Sequence, residues 1–70
     1  SQNFNKFYNQ IEELKQTRLK YVVYGNGTVG KTIQALMGDR VVGYVDMSDE
    51  NNHPKRLKEM KFDKIIISVL

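Results

Sequence analysis

The chain has 70 residues, 27% of them charged, with a formal net charge of +3 and no cysteine. That length holds one domain at most, and one that buries only a modest share of its surface. Disulfides and thiolate metal sites are excluded, and the single histidine, His53, cannot build a zinc site by itself.

In chain order, Phe4, Phe7, Tyr8, Ile11 and Leu14 recur at spacings of three and four, which predicts a helix from about Asn3 to Thr17. Its other positions are polar, so it needs a surface to pack on. Tyr21-Val22-Val23-Tyr24 is a short aromatic and β-branched run ended by glycine, and reads as a strand. It does not alternate polar with apolar, as expected of a strand covered on both faces. After a glycine-rich turn, Val29, Ile33, Leu36 and Met37 mark the inner face of a second helix, with Gly38 placed to end it in a left-handed conformation. Val41 to Val45 reads as a second strand stopping at Asp46, and 47–52 as a polar loop. Pro54 suits the first turn of a short helix reaching Met60, and Lys64 to Leu70 reads as a third strand.

Strands alternating with helices predict an α/β fold with a parallel sheet. The expected architecture is a three-layer Rossmann-like half: an N-terminal helix over residues 1–18, then a βαβαβ unit over residues 19–70 with strand order 3-2-1. The apolar run Ile65 to Leu70 has no polar tail after it, which predicts an N-terminal fragment of a longer protein. The remainder of that parent chain, or a second copy forming a homodimer, is the support expected for so small a unit.

Gly25-Asn26-Gly27-Thr28-Val29-Gly30 matches G-x-G-x-x-G. Gly25 allows a sharp turn after the strand, Gly27 lets a pyrophosphate approach the backbone, and Gly30 lets helix and strand pack closely. The free amides at the helix start would face the phosphates. Asp46 ends the next strand 21 positions after Gly25, the spacing of an acid that holds ribose hydroxyls. Met47 follows, where ribose or adenine could lie against it. The candidate cofactor-binding residues are therefore Gly25, Asn26, Gly27, Thr28, Val29, Gly30, Asp46 and Met47. NAD is the expected cofactor, and NADP is disfavoured because no arginine directly follows Asp46.

The letters permit two alternatives. Gly25 to Thr32 also satisfies G-x-x-x-x-G-K-[ST], in which Lys31 would reach the β- and γ-phosphates of a nucleoside triphosphate and Thr32 would hold magnesium. The short second helix and the position of Asp46 favour the dinucleotide type. Alternatively, the glycines serve only strand–helix packing, in a structural or dimerisation domain with no bound cofactor.

The pattern of a polar helix, Lys20 to Lys31, Val42 to Asp46 and Phe62 to Ser68 resembles the NAD(P)-binding Rossmann-like domains attached to bacterial surface-sugar enzymes. These include nucleotide-sugar dehydratases and epimerases, sugar acyltransferases, and some methyltransferases and glycosyltransferases. The resemblance covers about residues 19 to 70. It implies that Gly25, Gly27 and Gly30 are phosphate-loop glycines, that Asp46 is the acid after the second strand, and that a dinucleotide or nucleotide-sugar is the ligand of a carbohydrate-biosynthesis protein. The loop after Asp46 is shorter than in that pattern, and its helix barely reaches two turns. The half that usually carries the chemistry is absent, so no catalytic residue is assigned and enzyme activity stays open.

Other residues have ordinary explanations. Tyr21, Tyr24 and Tyr44 lack a lysine one helical turn away and are expected to pack, with hydroxyls at an edge or surface. His53 is expected to be exposed and inert, and Ser68 to bond to backbone. Lys55, Arg56, Lys58, Lys61 and Lys64, interrupted by Glu59 and Asp63, read as a solvated face. They lack interleaved aromatic residues, so no nucleic-acid partner is expected. No segment is long and apolar enough to span a bilayer and no signal peptide is visible, which with the absence of cysteine predicts a cytoplasmic protein.

Overall fold

The computed structural model describes residues 2–69. Helix α1 (Gln2–Gln16) forms where the three-four apolar spacing predicts it. Ile11 from its inner stripe is 3% exposed and packs with Ile33, Met37, Tyr21 and Val23, while Phe7 and Leu14 flank that cluster. The helix stops at Thr17, whose hydroxyl donates to the Leu14 carbonyl at 2.7 Å, and at Arg18, which turns the chain with φ 63°. The Thr17 hydroxyl also lies 2.8 Å from the Tyr21 hydroxyl. That contact explains how a tyrosine only 2% exposed keeps its phenol paired.

Strand β1 (Tyr21–Tyr24) runs into helix α2 (Thr28–Met37), and β2 (Val41–Val45) and β3 (Lys64–Ile67) complete a parallel three-stranded sheet. Gly38 ends α2 with φ 56° and its N–H bonded to the Gln34 carbonyl, then leads a single 3₁₀ turn, Gly38–Arg40, into β2. The expected helix after Pro54 is a 3₁₀ helix, Pro54–Glu59. The third strand ends at Ile67, short of the expected Leu70, which lies outside the described residues. Among the described residues no helix is long and apolar enough to cross a membrane.

The strand order corrects the expectation. It is β2-β1-β3, with β1 in the centre, and not 3-2-1. Burial shows it: Val22 and Val23, adjacent in β1 and facing opposite sides of the sheet, are both fully buried, whereas Ile65 and Ile67 of β3 are exposed. A pair like Val22 and Val23 needs a neighbour on each side and a layer on each face. β2 is less suited to the centre. Tyr21 pairs with Val41 and Val22 with Gly43, so Val42 bulges out, 46% exposed.

A polar contact fixes where β3 enters. The Lys20 N–H donates to Asp63 Oδ2 at 2.7 Å, and the Asp63 N–H returns to the Lys20 carbonyl at 2.8 Å. The start of β3 is thereby tied to the start of β1.

Helices α1 and α2 share the face of the sheet that carries Tyr21 and Val23. On the other face, Met60 after the 3₁₀ helix covers Gly43, where an added Cβ would lie 2.9 Å from the Met60 Cε. That cover reaches β2 but leaves Ile65 and Ile67 of β3 exposed.

Arg18 holds a left-handed conformation that costs a residue with a Cβ roughly 1–2 kcal/mol. Arg18→Gly removes that strain at the expense of unfolded-state entropy, so urea denaturation should show a gain of about 0.5–1 kcal/mol.

Candidate functional site

The turn between β1 and α2 consists of Gly25, Asn26 and Gly27, and its three-glycine pattern divides by physical role. Gly25 continues the sheet ladder, its N–H donating to the Val45 carbonyl at 2.7 Å, and then turns with φ 110°. A Cβ there would sit 2.6 Å from Val69 Cγ1 and against Ser68 Oγ. A Cβ on Gly30 would run into the Gly25 carbonyl oxygen. Gly27 is different. It is extended, with φ −79° and ψ −162°, and no heavy atom lies within 4 Å of the place its Cβ would take. Packing therefore demands glycine at 25 and 30, and the protein itself makes no such demand at 27.

Gly27 is also the N-cap of α2, with no side chain bonded to the helix start. The first bond back into the turn runs from the Lys31 N–H to the Gly27 carbonyl at 2.9 Å. The amides of Thr28, Val29 and Gly30 precede it and have no carbonyl of the helix to bond. Thr28 and Val29 are exposed, so their N–H groups and the positive end of the helix dipole lie at the surface.

Asp46 closes the other side of the turn. Its Oδ2 accepts from the Asn26 N–H at 2.7 Å, and its Oδ1 accepts from the Ser48 N–H at 2.9 Å and the Ser48 hydroxyl at 2.6 Å. The Ser48 hydroxyl, then the Asn26 and Ser48 amides, lower its pKa to about 2 against the small opposing effect of desolvation. A carboxylate offers about four acceptor sites, and three are used here. A ribose diol would have to share Oδ1 with the Ser48 hydroxyl or displace it.

The loop after Asp46 is braced rather than loose. The Asn51 and Asn52 amides both donate to Asp49 Oδ1 at 3.0 Å, and the Tyr44 hydroxyl donates to Asp49 Oδ2 at 3.1 Å. Burial pushes Asp49 up, but the bonds from Tyr44, Asn52 and Asn51 outweigh it and lower its pKa. The same bond to Asp49 raises the Tyr44 phenol. Asn26, Asp46, Ser48, Asp49, Glu50 and Asn51 line a groove of about 370 Å³ beside the turn. Its three carboxylates and lack of any cation suit hydroxyl groups and oppose a phosphate at that end. Among the described residues no group of histidine, aspartate and glutamate is arranged to hold a metal.

The remaining sequence candidates are placed as follows. Met47 is 64% exposed next to Asp46. The Asn26 side chain is held back against α2 by Gln34, whose Nε2 donates to Asn26 Oδ1 at 2.8 Å. Lys31 is exposed on α2, and the Thr32 hydroxyl donates to the Thr28 carbonyl at 2.8 Å. Because the helix already begins at Thr28, residues 28–30 do not form the open loop that would wrap a triphosphate in front of Lys31. His53 caps the 3₁₀ helix, its Nδ1 accepting from the Lys55 N–H at 3.1 Å. Ser68 shares its hydroxyl proton between the Tyr24 and Gly25 carbonyls, at 2.9 and 3.0 Å.

Two contributors went unassigned to the site in the sequence: Ser48, and Ser68 as a brace of the turn. Asp46-Met47-Ser48 carries a local signal, because an aspartate bonds readily to the residue two further on. Ser68 carries none, since its partners lie 43 and 44 positions away.

Comparison with protein-family models, with curated proteins and with solved structures finds no match for this chain.

The Asp46 carboxylate has a depressed pKa, so its hold on the Asn26 amide is complete above the ordinary value of 3.8 and is lost as pH falls through about 2. Carbon-detected NMR of the Asp46 carboxyl should show a midpoint near that lower value. Ser48→Ala should move the midpoint upward, because the serine hydroxyl is the largest cause of the depression.

Proposed function

We propose that this chain is a binding module for NAD or a related dinucleotide, with the phosphates on the amides of Gly27, Thr28 and Val29 and one ribose on the Asp46 side. The observation that carries the reading is Gly27. Gly25 and Gly30 are each explained by atoms of the protein, whereas no neighbour accounts for glycine at 27, and the open space there leaves the backbone approachable by a phosphate. The strand order is not the 3-2-1 of a dinucleotide-binding half, but it still has a switch point beside the glycine turn. In a doubly wound sheet the ligand crevice opens at the C-terminal ends of the strands, where successive connections run in opposite directions along the sheet. Here that place lies between β1 and β3, at the glycine turn.

The Asp46 groove gives the ligand a polarity. Hydroxyl groups fit at its carboxylates, and the absence of a cation in its lining favours an unphosphorylated ribose, hence NAD over NADP. The sequence resemblance extends the proposal to a module of a larger bacterial carbohydrate-modifying protein, with the dinucleotide or a nucleotide-sugar as ligand and the rest of the parent chain as partner. The residues lining the turn and groove include no histidine and no tyrosine–lysine pair, so chemistry is not assigned to them.

One observation favours a second reading, a structural domain without cofactor. The Asp46 carboxylate is already engaged by Asn26 and Ser48.

Gly27→Ser separates the two readings. Serine is a good N-cap and meets no neighbour here, so stability should hold or rise by a few tenths of a kcal/mol. Calorimetric titration should show NAD binding to the unaltered chain and at least a tenfold weaker affinity in the variant, about 1.4 kcal/mol. Absence of NAD binding by the folded, unaltered chain favours the structural reading.

A further inference from the structure

We propose that Gln34 is a positioning residue for the ligand site: it locks the Asn26 side-chain amide so that Asn26 Nδ2 is the group left to donate to a phosphate oxygen of the ligand. The inference rests on the dinucleotide reading and names a contact within it, made by a side chain rather than by the backbone of the turn.

One acceptor fixes the orientation of two amides. The Gly30 carbonyl can only accept, so the Gln34 atom 3.2 Å from it is the amide nitrogen, Nε2. That nitrogen carries two N–H groups. It also lies 2.8 Å from Asn26, so the Asn26 atom it meets is the acceptor, Oδ1. With Oδ1 against Gln34, the Nδ2 of Asn26 occupies the other branch of the planar amide and is turned away from Gln34. The helix itself aims Gln34 at the turn, because long side chains on a helix lean toward its N-terminus and over the residue four positions earlier, here Gly30.

Asn26 Nδ2 brings two N–H groups and has no acceptor among the described residues. The main chain of Asn26 is committed separately, its N–H donating to Asp46 Oδ2. Asn26 is half-buried and stands at the join of the two halves of the site. The Gly27 and Thr28 amides follow it in the chain, and it lines the groove with Asp46 and Ser48. The three carboxylates of that groove oppose a phosphate, so a neutral donor is what the join requires where phosphate passes into ribose. A reversed amide would present Oδ1, an acceptor, to the same phosphate oxygen and repel it. Gln34 keeps that reversed state out.

A double-mutant cycle read by calorimetric titration with NAD tests the proposal. Asn26→Ala removes the donor and should weaken binding about tenfold, the loss of one hydrogen bond to a charged group. Gln34→Met keeps the side chain's length but not its N–H groups. It should weaken binding about threefold, because the freed amide then spends only part of its time with Nδ2 toward the ligand. The double variant should bind no more weakly than Asn26→Ala alone, since Gln34 acts only through that amide. NAD binding that either single substitution leaves untouched overturns the inference and leaves the dinucleotide reading standing. Losses that multiply to about thirtyfold in the double variant do the same, because they make Gln34 independent of Asn26. A folded, unaltered chain that does not bind NAD overturns both. Where a substitution unfolds the chain, the side-chain amide signals of Asn26 in the ¹⁵N-labelled, unaltered chain decide: movement on adding NAD supports the contact, and signals that stay in place while NAD binds overturn it.

Discussion

The approach of the Gly25 carbonyl to the Cα of Gly30 is the contact on which the rest of the molecule depends. It lets α2 start directly on the end of β1, with only three residues between them. That short connection brings Ile33 and Met37 down onto Tyr21 and Val23, where Ile11 of α1 completes the core. It also leaves the first amides of α2 without partners at the C-terminal end of the sheet. Core and candidate site are thus two consequences of one close approach. Ser68 reinforces it from β3, bonding to the carbonyls of Tyr24 and Gly25 on either side of the turn's first peptide.

Asp46 supplies the second constraint. Its bond to the Asn26 amide ties the end of β2 to the turn. The same carboxylate that would receive a ribose is bonded to Asn26 and Ser48 of the protein itself. On the proposed function, binding would exchange the Ser48 hydroxyl for a ligand hydroxyl. The net gain from such an exchange is small, since one hydrogen bond replaces another. A dinucleotide bound that way would draw its affinity chiefly from its phosphates on the α2 amides, with Asp46 contributing discrimination between ligands.

Much of the fold was legible in the sequence because its signals are local. The three-four spacing of Phe7, Ile11 and Leu14 marked α1, the continuous apolar run at Tyr21 marked a strand with both faces covered, and Gly38 marked the end of α2. Strand order was not legible in the same way. It is set by contacts between Lys20 and Asp63, and between Tyr24 and Ser68, which lie more than forty positions apart and carry no periodicity. Apolar character separates β1 from β2 but not from β3, whose Ile65 to Ile67 are as apolar. Val22 and Val23 ask for a central place, while Gly43 and the bulge at Val42 suit an edge. In the site, the glycine pattern was legible but the division of labour among the glycines was not. That division depends on what the fold brings against each one: Ser68 and Val69 against Gly25, the Gly25 carbonyl against Gly30, and nothing against Gly27.

On the proposed function, the open backbone at Gly27 would receive a dinucleotide's phosphates. Amide chemical shifts of the ¹⁵N-labelled chain, followed during titration with NAD, measure this most directly. A dinucleotide-binding turn predicts the largest shifts at Gly27, Thr28 and Val29, with Asn26 following as its bond to Asp46 adjusts. Amides that stay unmoved throughout the turn at millimolar NAD, in a chain that remains folded, would contradict it.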